Sequence, residues 1–212
     1  MAKILIYGDS QSGRTGLELQ KLLKAQGHIV TRKTNSGKST DWLSKHVPNG
    51  QSDKVYLFSG GNDGSVQADA LRALLSAFAN VKEVFYFGPP PATLITDLSL
   101  AKKVWGAAKS ADKFFPQTAE KRETKNAAYK KVVKEFPNVT FIDFRDAPTS
   151  NKVTQPSGVY YPSQADGIHT SGQTAKEVAE YALTPAAKKS KSPTLLYAGA
   201  AIIAFILLRR KG

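Results

Sequence analysis

The sequence predicts an α/β protein, a parallel sheet covered on both faces by helices, followed by a C-terminal segment of a different kind. Three observations carry that expectation. Five short apolar runs alternate with stretches of helical periodicity. The runs are apolar along their length, as strands buried on both faces are. Past Leu183 the composition changes abruptly.

Ala2 to Tyr7 reads as the first strand, ending in Gly8-Asp9-Ser10. No basic n-region or separate apolar h-region accompanies it, so a cleavable signal peptide is not expected. Leu19, Leu22 and Leu23 form an i, i+3, i+4 stripe closed by Gly27 as a helix C′ residue. His28 to Thr31 reads as a strand, Thr40 to His46 as a short helix, and Val55 to Phe58 as a buried strand. Leu71, Leu74, Leu75 and Phe78 mark the next helix, and Val84 to Phe87 a strand stopped by Gly88 and three prolines. A helical stretch from about Asp97 to Phe136, broken near Phe115-Pro116, presents Tyr129, Val132, Val133 and Phe136 to the core. Val139 to Ile142 is the fifth strand. A Gly/Pro/Ser-rich loop follows, then a last helix with Ala175, Val178, Ala179 and Ala182 on one face.

Composition sets limits. At 212 residues, 41% hydrophobic and 22% charged, the chain is neither wholly disordered nor a polytopic membrane protein. Zero cysteines exclude a disulfide framework, a zinc ribbon and a thiol nucleophile. The net charge of +13 is uneven: Lys188, Lys189, Lys191, Arg209, Arg210 and Lys211 lie beyond the last acid, Glu180. The body is therefore only moderately basic. Between Lys102 and Glu135, ten Lys/Arg face four Asp/Glu, which reads mostly as a solvated helix face. A sharper reading is a surface for anionic lipid or an anionic envelope polymer. No basic motif is interleaved with aromatics, which argues against nucleic acid.

Four segments are expected: a domain over 1–183, a basic linker over 184–192, an apolar transmembrane helix over 193–208, and a basic tail over 209–212. The apolar stretch of about 16 residues spans ~24 Å as a helix, against a hydrocarbon core of ~30 Å. Snorkelling arginines and local thinning close that gap. The expectation is a single-pass membrane anchor, in a cellular or a virion membrane, its direction open because three positive charges flank each side.

In a parallel α/β sheet, ligands bind at the carboxyl ends of the strands. Gly8-Asp9-Ser10 follows the first strand, Gly60-Gly61-Asn62-Asp63 the third, and Asp166-Gly167-Ile168-His169 precedes the last helix. Each is weak alone; their order and placement together are specific. In these blocks the chain resembles the SGNH/GDSL hydrolases over residues 1 to about 184. The family's second block, the least specific, falls on Gly37 in the loop after the second strand. Gln11 stands where the family often has leucine.

The resemblance implies a flavodoxin-like three-layer α/β/α fold with a five-stranded parallel sheet. It implies ester hydrolysis by a Ser-His-Asp triad, with no metal or cofactor. Ser10 would be the nucleophile, His169 its general base, and Asp166 the carboxylate orienting the imidazole. The backbone N–H groups of Ser10 and Gly37 and the side-chain amide of Asn62 would form the oxyanion hole. Asp9 and Asp63 read as loop organisers. The expected substrate is a small-molecule or glycan ester, first an O-acetyl or short acyl ester on a carbohydrate or envelope polymer. A lipid or lysophospholipid acyl ester is the alternative. So is a non-catalytic, membrane-tethered interaction protein on the same scaffold, virion-associated in one version.

Two motifs point elsewhere and fail. Ser36-Gly37-Lys38-Ser39-Thr40 resembles the end of a phosphate-binding loop, but Arg32 stands where its first glycine belongs. Gly8, Gly13 and Gly16 lack dinucleotide-site spacing. His28 and His46 read as structural, without metal-ligand spacing.

Overall fold

The structure is a computed structural model that describes residues 1–94, 119–150, 153–155, 158–162, 169–184 and 187. The main sheet contains β1 (Lys3–Gly8), β2 (Ile29–Thr34), β3 (Lys54–Phe58), β4 (Glu83–Phe87) and β6 (Val139–Ile142). All its pairings are parallel, in the order β2-β1-β3-β4-β6. Counted within the sheet this is the 2-1-3-4-5 order of flavodoxin-like proteins, as expected. Its helices are α1 (Thr15–Ala25), α2 (Thr40–Lys45), α3 (Ala68–Ser76), α4 (Ala119–Val133) and α5 (Gly172–Ala182).

Alternating side chains of each strand enter two separate cores. Ile4, Ile6, Tyr56, Phe58, Phe85, Phe87 and Ile142 pack against α1 and α5 through Leu19, Leu23, Val178, Ala179 and Ala182. Leu5, Tyr7, Val55, Leu57, Val84, Tyr86 and Phe141 pack on the other face against α2, α3 and α4. Full burial of each large apolar side chain contributes about 1.5–3 kcal/mol, which is why the apolar runs specify the sheet. Tyr7 is buried because its hydroxyl finds acceptors, donating to the carbonyls of Leu43 (3.0 Å) and His46 (2.9 Å) in and after α2.

Local signals match. After α1 the His28 N–H reaches the Leu23 carbonyl (3.1 Å) and the Gly27 N–H the Lys24 carbonyl (2.9 Å), a Schellman motif with Gly27 at C′. His28 Nδ1 accepts the Ala2 N–H, and His46 stacks on Trp42 at 3.8 Å, both structural roles.

One expectation is corrected. The Gly/Pro/Ser-rich stretch after β6 is not all loop: β7 (Val153–Gln155) and β8 (Gly158–Pro162) form an antiparallel pair within it. Together with β5 (Ala92–Leu94), parallel to β8, they make a second, three-stranded sheet. Strands of three to five residues that draw their pairing from distant chain give too short a hydrophobic pattern to read. Ser150 ties the start of this excursion to α5, its N–H and hydroxyl both donating to the Glu177 carboxylate. Among the described residues no helix is long and apolar enough to cross a membrane. The stretch 193–208, like the helical expectation over 97–118, lies outside the described residues.

Candidate active site

The strand order places a topological switch at β1, whose neighbours β2 and β3 are reached in opposite directions. Gly8, Thr34, Phe58, Phe87 and Ile142 stand level with one another across the sheet. The loops after β1, β2 and β3 therefore leave from one rim, where open α/β sheets bind ligands.

After β1 the chain turns within a space only glycine fits. A Cβ on Gly8 would stand 2.1 Å from the Phe58 carbonyl oxygen. Asp9, 1% exposed, then starts a 3-10 turn over Ser10–Gly13 by accepting the Gln11 N–H at 2.9 Å. Its carboxylate also takes the backbone N–H of Gly61, which joins the loop after β1 to the loop after β3. Burial raises the Asp9 carboxyl to about 7. The Gln11 N–H opposes that rise, the nearby Asp63 charge adds to it, and Arg122 also opposes it. Ser10 is half-buried at the first position of the turn, where a helical N–H has no partner in its own ladder.

The loop after β2 is pinned to the same place by the Asn35 N–H on the Gly8 carbonyl (2.8 Å). A turn closes from Asn35 to Lys38, with Gly37 at φ +73° in its third position, where a type II turn favours glycine. Asn62 donates a side-chain N–H to the Lys38 carbonyl at 3.2 Å, which orients its amide over this turn. Asp63, fully buried, accepts from the Thr40 N–H (2.8 Å), the Thr40 hydroxyl (2.7 Å) and the Tyr129 hydroxyl (2.5 Å). Both aspartates thus organise loops, as read from the sequence. Ser10, Gly37 and Asn62 lie on three loops held together by these bonds.

His169 is half-buried ahead of α5, whose N-cap is the Ser171 hydroxyl bonded to the Thr174 N–H at 3.2 Å. α5 packs on α1, the helix that continues from the Ser10 turn. Asp166 lies outside the described residues. Among the described residues no group of three or more His, Asp or Glu is placed to hold a metal ion.

The sequence reading missed what lies beneath these loops. The basic stretch of α4 is not all a solvated face: Lys125 is 3% exposed and Asn126 6%. Lys125 Nζ donates to the carbonyls of Gly60 (2.9 Å) and Asp63 (2.7 Å), and burial lowers it to about 8. Arg122 donates to the Pro90 and Pro91 carbonyls, and burial lowers its guanidinium to about 10. Arg145 bonds the Pro89 carbonyl, Glu123 and Asp143, while Asn126 donates to Asp143 at 2.8 Å. The signal was available: Arg122, Lys125 and Asn126 precede Tyr129 by seven, four and three residues, so they share its buried face. Beside these groups a groove of about 320 Å³ is bounded by Gly64, Ser65 and Val66 on one side and by Lys121, Thr124 and Lys125 on the other.

No family model matches the chain, and no curated protein matches it significantly. Solved structures do. A structure described as a GDSL-like lipase from Parabacteroides merdae superposes with a TM-score of 0.54 at 19% identity, covering 89% of this chain and 94% of that one. An acetyl xylan esterase gives 0.52 at 16% identity, over 86% of this chain and all of that one. The catalytic domain of the peptidoglycan O-acetyltransferase of Streptococcus pneumoniae gives 0.53 at 14% identity, over 89% and 93%. The fold is that of the SGNH/GDSL hydrolases.

Proposed function

We propose that this chain is a serine esterase of the SGNH type that removes a short acyl group, first an acetyl group, from a carbohydrate ester. Ser10 Oγ attacks the ester carbonyl while His169 takes its proton and Asp166 steadies the imidazolium. The alcohol leaves with that proton, and water, activated by the same imidazole, releases the acid from the acyl-serine. The Ser10 and Gly37 N–H groups and the Asn62 amide meet the developing oxyanion, and one such donor is worth about 10²–10³ in rate. The observation that carries this reading is the convergence of the Ser10, Gly37 and Asn62 loops at the switch point, tied by Asp9, Asn35 and Asn62 itself. The sugar-acetyl specificity is supported by two fold neighbours, one an acetyl xylan esterase and one a peptidoglycan O-acetyltransferase domain. The apolar stretch 193–208 with its flanking cations supports a membrane tether holding the enzyme near an envelope glycan.

Hydrolysis of 4-nitrophenyl acetate is the first test. Ser10→Ala and His169→Ala each abolish turnover, and Ser10→Ala also abolishes labelling by a fluorophosphonate. A wild-type chain with neither turnover nor labelling overturns the reading. Release of acetate from O-acetylated glycan, set against fatty acid from lysophospholipid vesicles, decides the substrate.

A further inference from the structure

The buried ammonium of Lys125 is used by no step of the esterase reading, yet it touches the loop that carries Asn62. Its Nζ lies 2.9 Å from the Gly60 carbonyl and 2.7 Å from the Asp63 carbonyl, the residues two before and one after Asn62. A lysine 3% exposed is costly to bury, and here two backbone oxygens of one turn receive its ammonium. The same residue lines the groove beside the loop, so the support and the open face share one side chain. On the opposite side of the loop, the Asn62 amide is held by a bond to the Lys38 carbonyl (3.2 Å), at an exposed position. The backbone curl from Gly60 to Asp63 therefore decides where that amide points.

We propose that Lys125 is a positioning residue of the oxyanion hole: it clamps the Gly60–Asp63 turn from below and so sets the Asn62 amide at the distance the transition state requires. The proposal rests on the esterase reading for its consequence, and on the two carbonyl contacts for its geometry. A donor displaced by about 1 Å costs on the order of 10²-fold in rate. Lys125→Met, close in length but without donors, lowers kcat by about that factor and leaves KM little changed, because the clamp acts on the transition state. The decisive comparison is with Asn62→Ala. If Lys125 acts through Asn62, the double variant is no slower than Asn62→Ala alone, whereas a general structural loss multiplies. Multiplying losses, or a change confined to KM, overturn the proposal.

Two further measurements close the remaining routes. Amide hydrogen exchange across residues 60–63 in the full chain speeds up in Lys125→Met while α3 and β1 keep their protection; unchanged exchange in the turn overturns the clamp. That result stands even if the wild-type chain hydrolyses no ester, in which case the esterase reading alone fails. Should Lys125→Met not fold, Lys125→Gln carries the same assays. Its shorter amide reaches one carbonyl at most, so a partial loss of kcat and of protection is expected, and wild-type values for both overturn the proposal.

Discussion

Replacing Asp9 by asparagine tests the electrostatics of the site floor in isolation. Asp9 is 1% exposed, and burial lifts its carboxyl from 3.8 to about 7. A folded-state value above the unfolded one means that the native chain holds the proton more tightly. The associated stability is complete below about pH 4 and is lost as pH rises through 7. At about 1.4 kcal/mol per pH unit, integration from pH 5 to 8.5 gives a wild-type loss of about 3 kcal/mol from this one group. The amide of Asp9→Asn cannot titrate. Its single oxygen must also serve two N–H groups, Gln11 and Gly61, which costs about 1–3 kcal/mol at any pH. Whatever its fixed cost, Asp9→Asn therefore gains about 3 kcal/mol on wild type between pH 5 and pH 8.5. Urea unfolding of both chains at the two pH values, followed by tryptophan fluorescence, measures the difference, and titrations common to both cancel. A wild-type-minus-variant difference that does not move with pH refutes the argument. It would mean that Arg122, the cation acting against the shift, holds Asp9 charged throughout.

The remaining predictions concern the same loops. Tyr129→Phe removes the hydroxyl that donates to Asp63 at 2.5 Å and accepts the Gln67 N–H at 3.0 Å. Urea unfolding should show a loss of about 2–3 kcal/mol, because a buried carboxylate is left one donor short. Gly8→Ala places a Cβ 2.1 Å from the Phe58 carbonyl oxygen, so β1 and β3 must part at the rim. Its cost should reach or exceed about 3 kcal/mol, and far-ultraviolet circular dichroism should show an earlier thermal transition. A Gly8→Ala chain as stable as wild type would mean that the sheet edge is looser than this contact.

What the sequence made legible follows from what hydrophobic periodicity can see. The strand over Val139–Ile142 and the buried set Ala175, Val178, Ala179 and Ala182 were readable because each side chain's fate depends on its own polarity and spacing. That the loops after β1, β2 and β3 meet at one rim was readable because strand-end loops in a parallel sheet have few places to go. Lys125, Arg122 and Asn126 were not, although they share a helical face with Tyr129, because their burial is set by acceptors elsewhere in the chain. Those acceptors are the carbonyls of Gly60, Asp63, Pro90 and Pro91 and the carboxylate of Asp143. A lysine has the same hydropathy whether water or a carbonyl receives it. The β5-β8-β7 sheet escaped for a related reason, since β5 and β8 lie more than sixty residues apart in the sequence.

These failures share a physical cause that bears on how such a site is built. Rim loops lie outside the strand and helix ladders, so the carbonyl oxygens that they turn into the protein need donors from elsewhere in the chain. Five such carbonyls lie under this rim: those of Gly60, Asp63, Pro89, Pro90 and Pro91. They lie outside the strand and helix ladders, and leaving each buried without a donor would cost about 1–3 kcal/mol. Arg122, Lys125 and Arg145 supply the donors, and the carboxylates of Asp63, Glu123 and Asp143 offset their charge. A buried ionic network of this kind adds little net stability over an apolar core. Its advantage is directional. Leucine in place of Lys125 fills space equally well against many loop conformations, whereas an ammonium between two carbonyls favours the one in which both are reached. The energetic burden of burying charge beneath the rim is thus what ties the Gly60–Asp63 turn to α4.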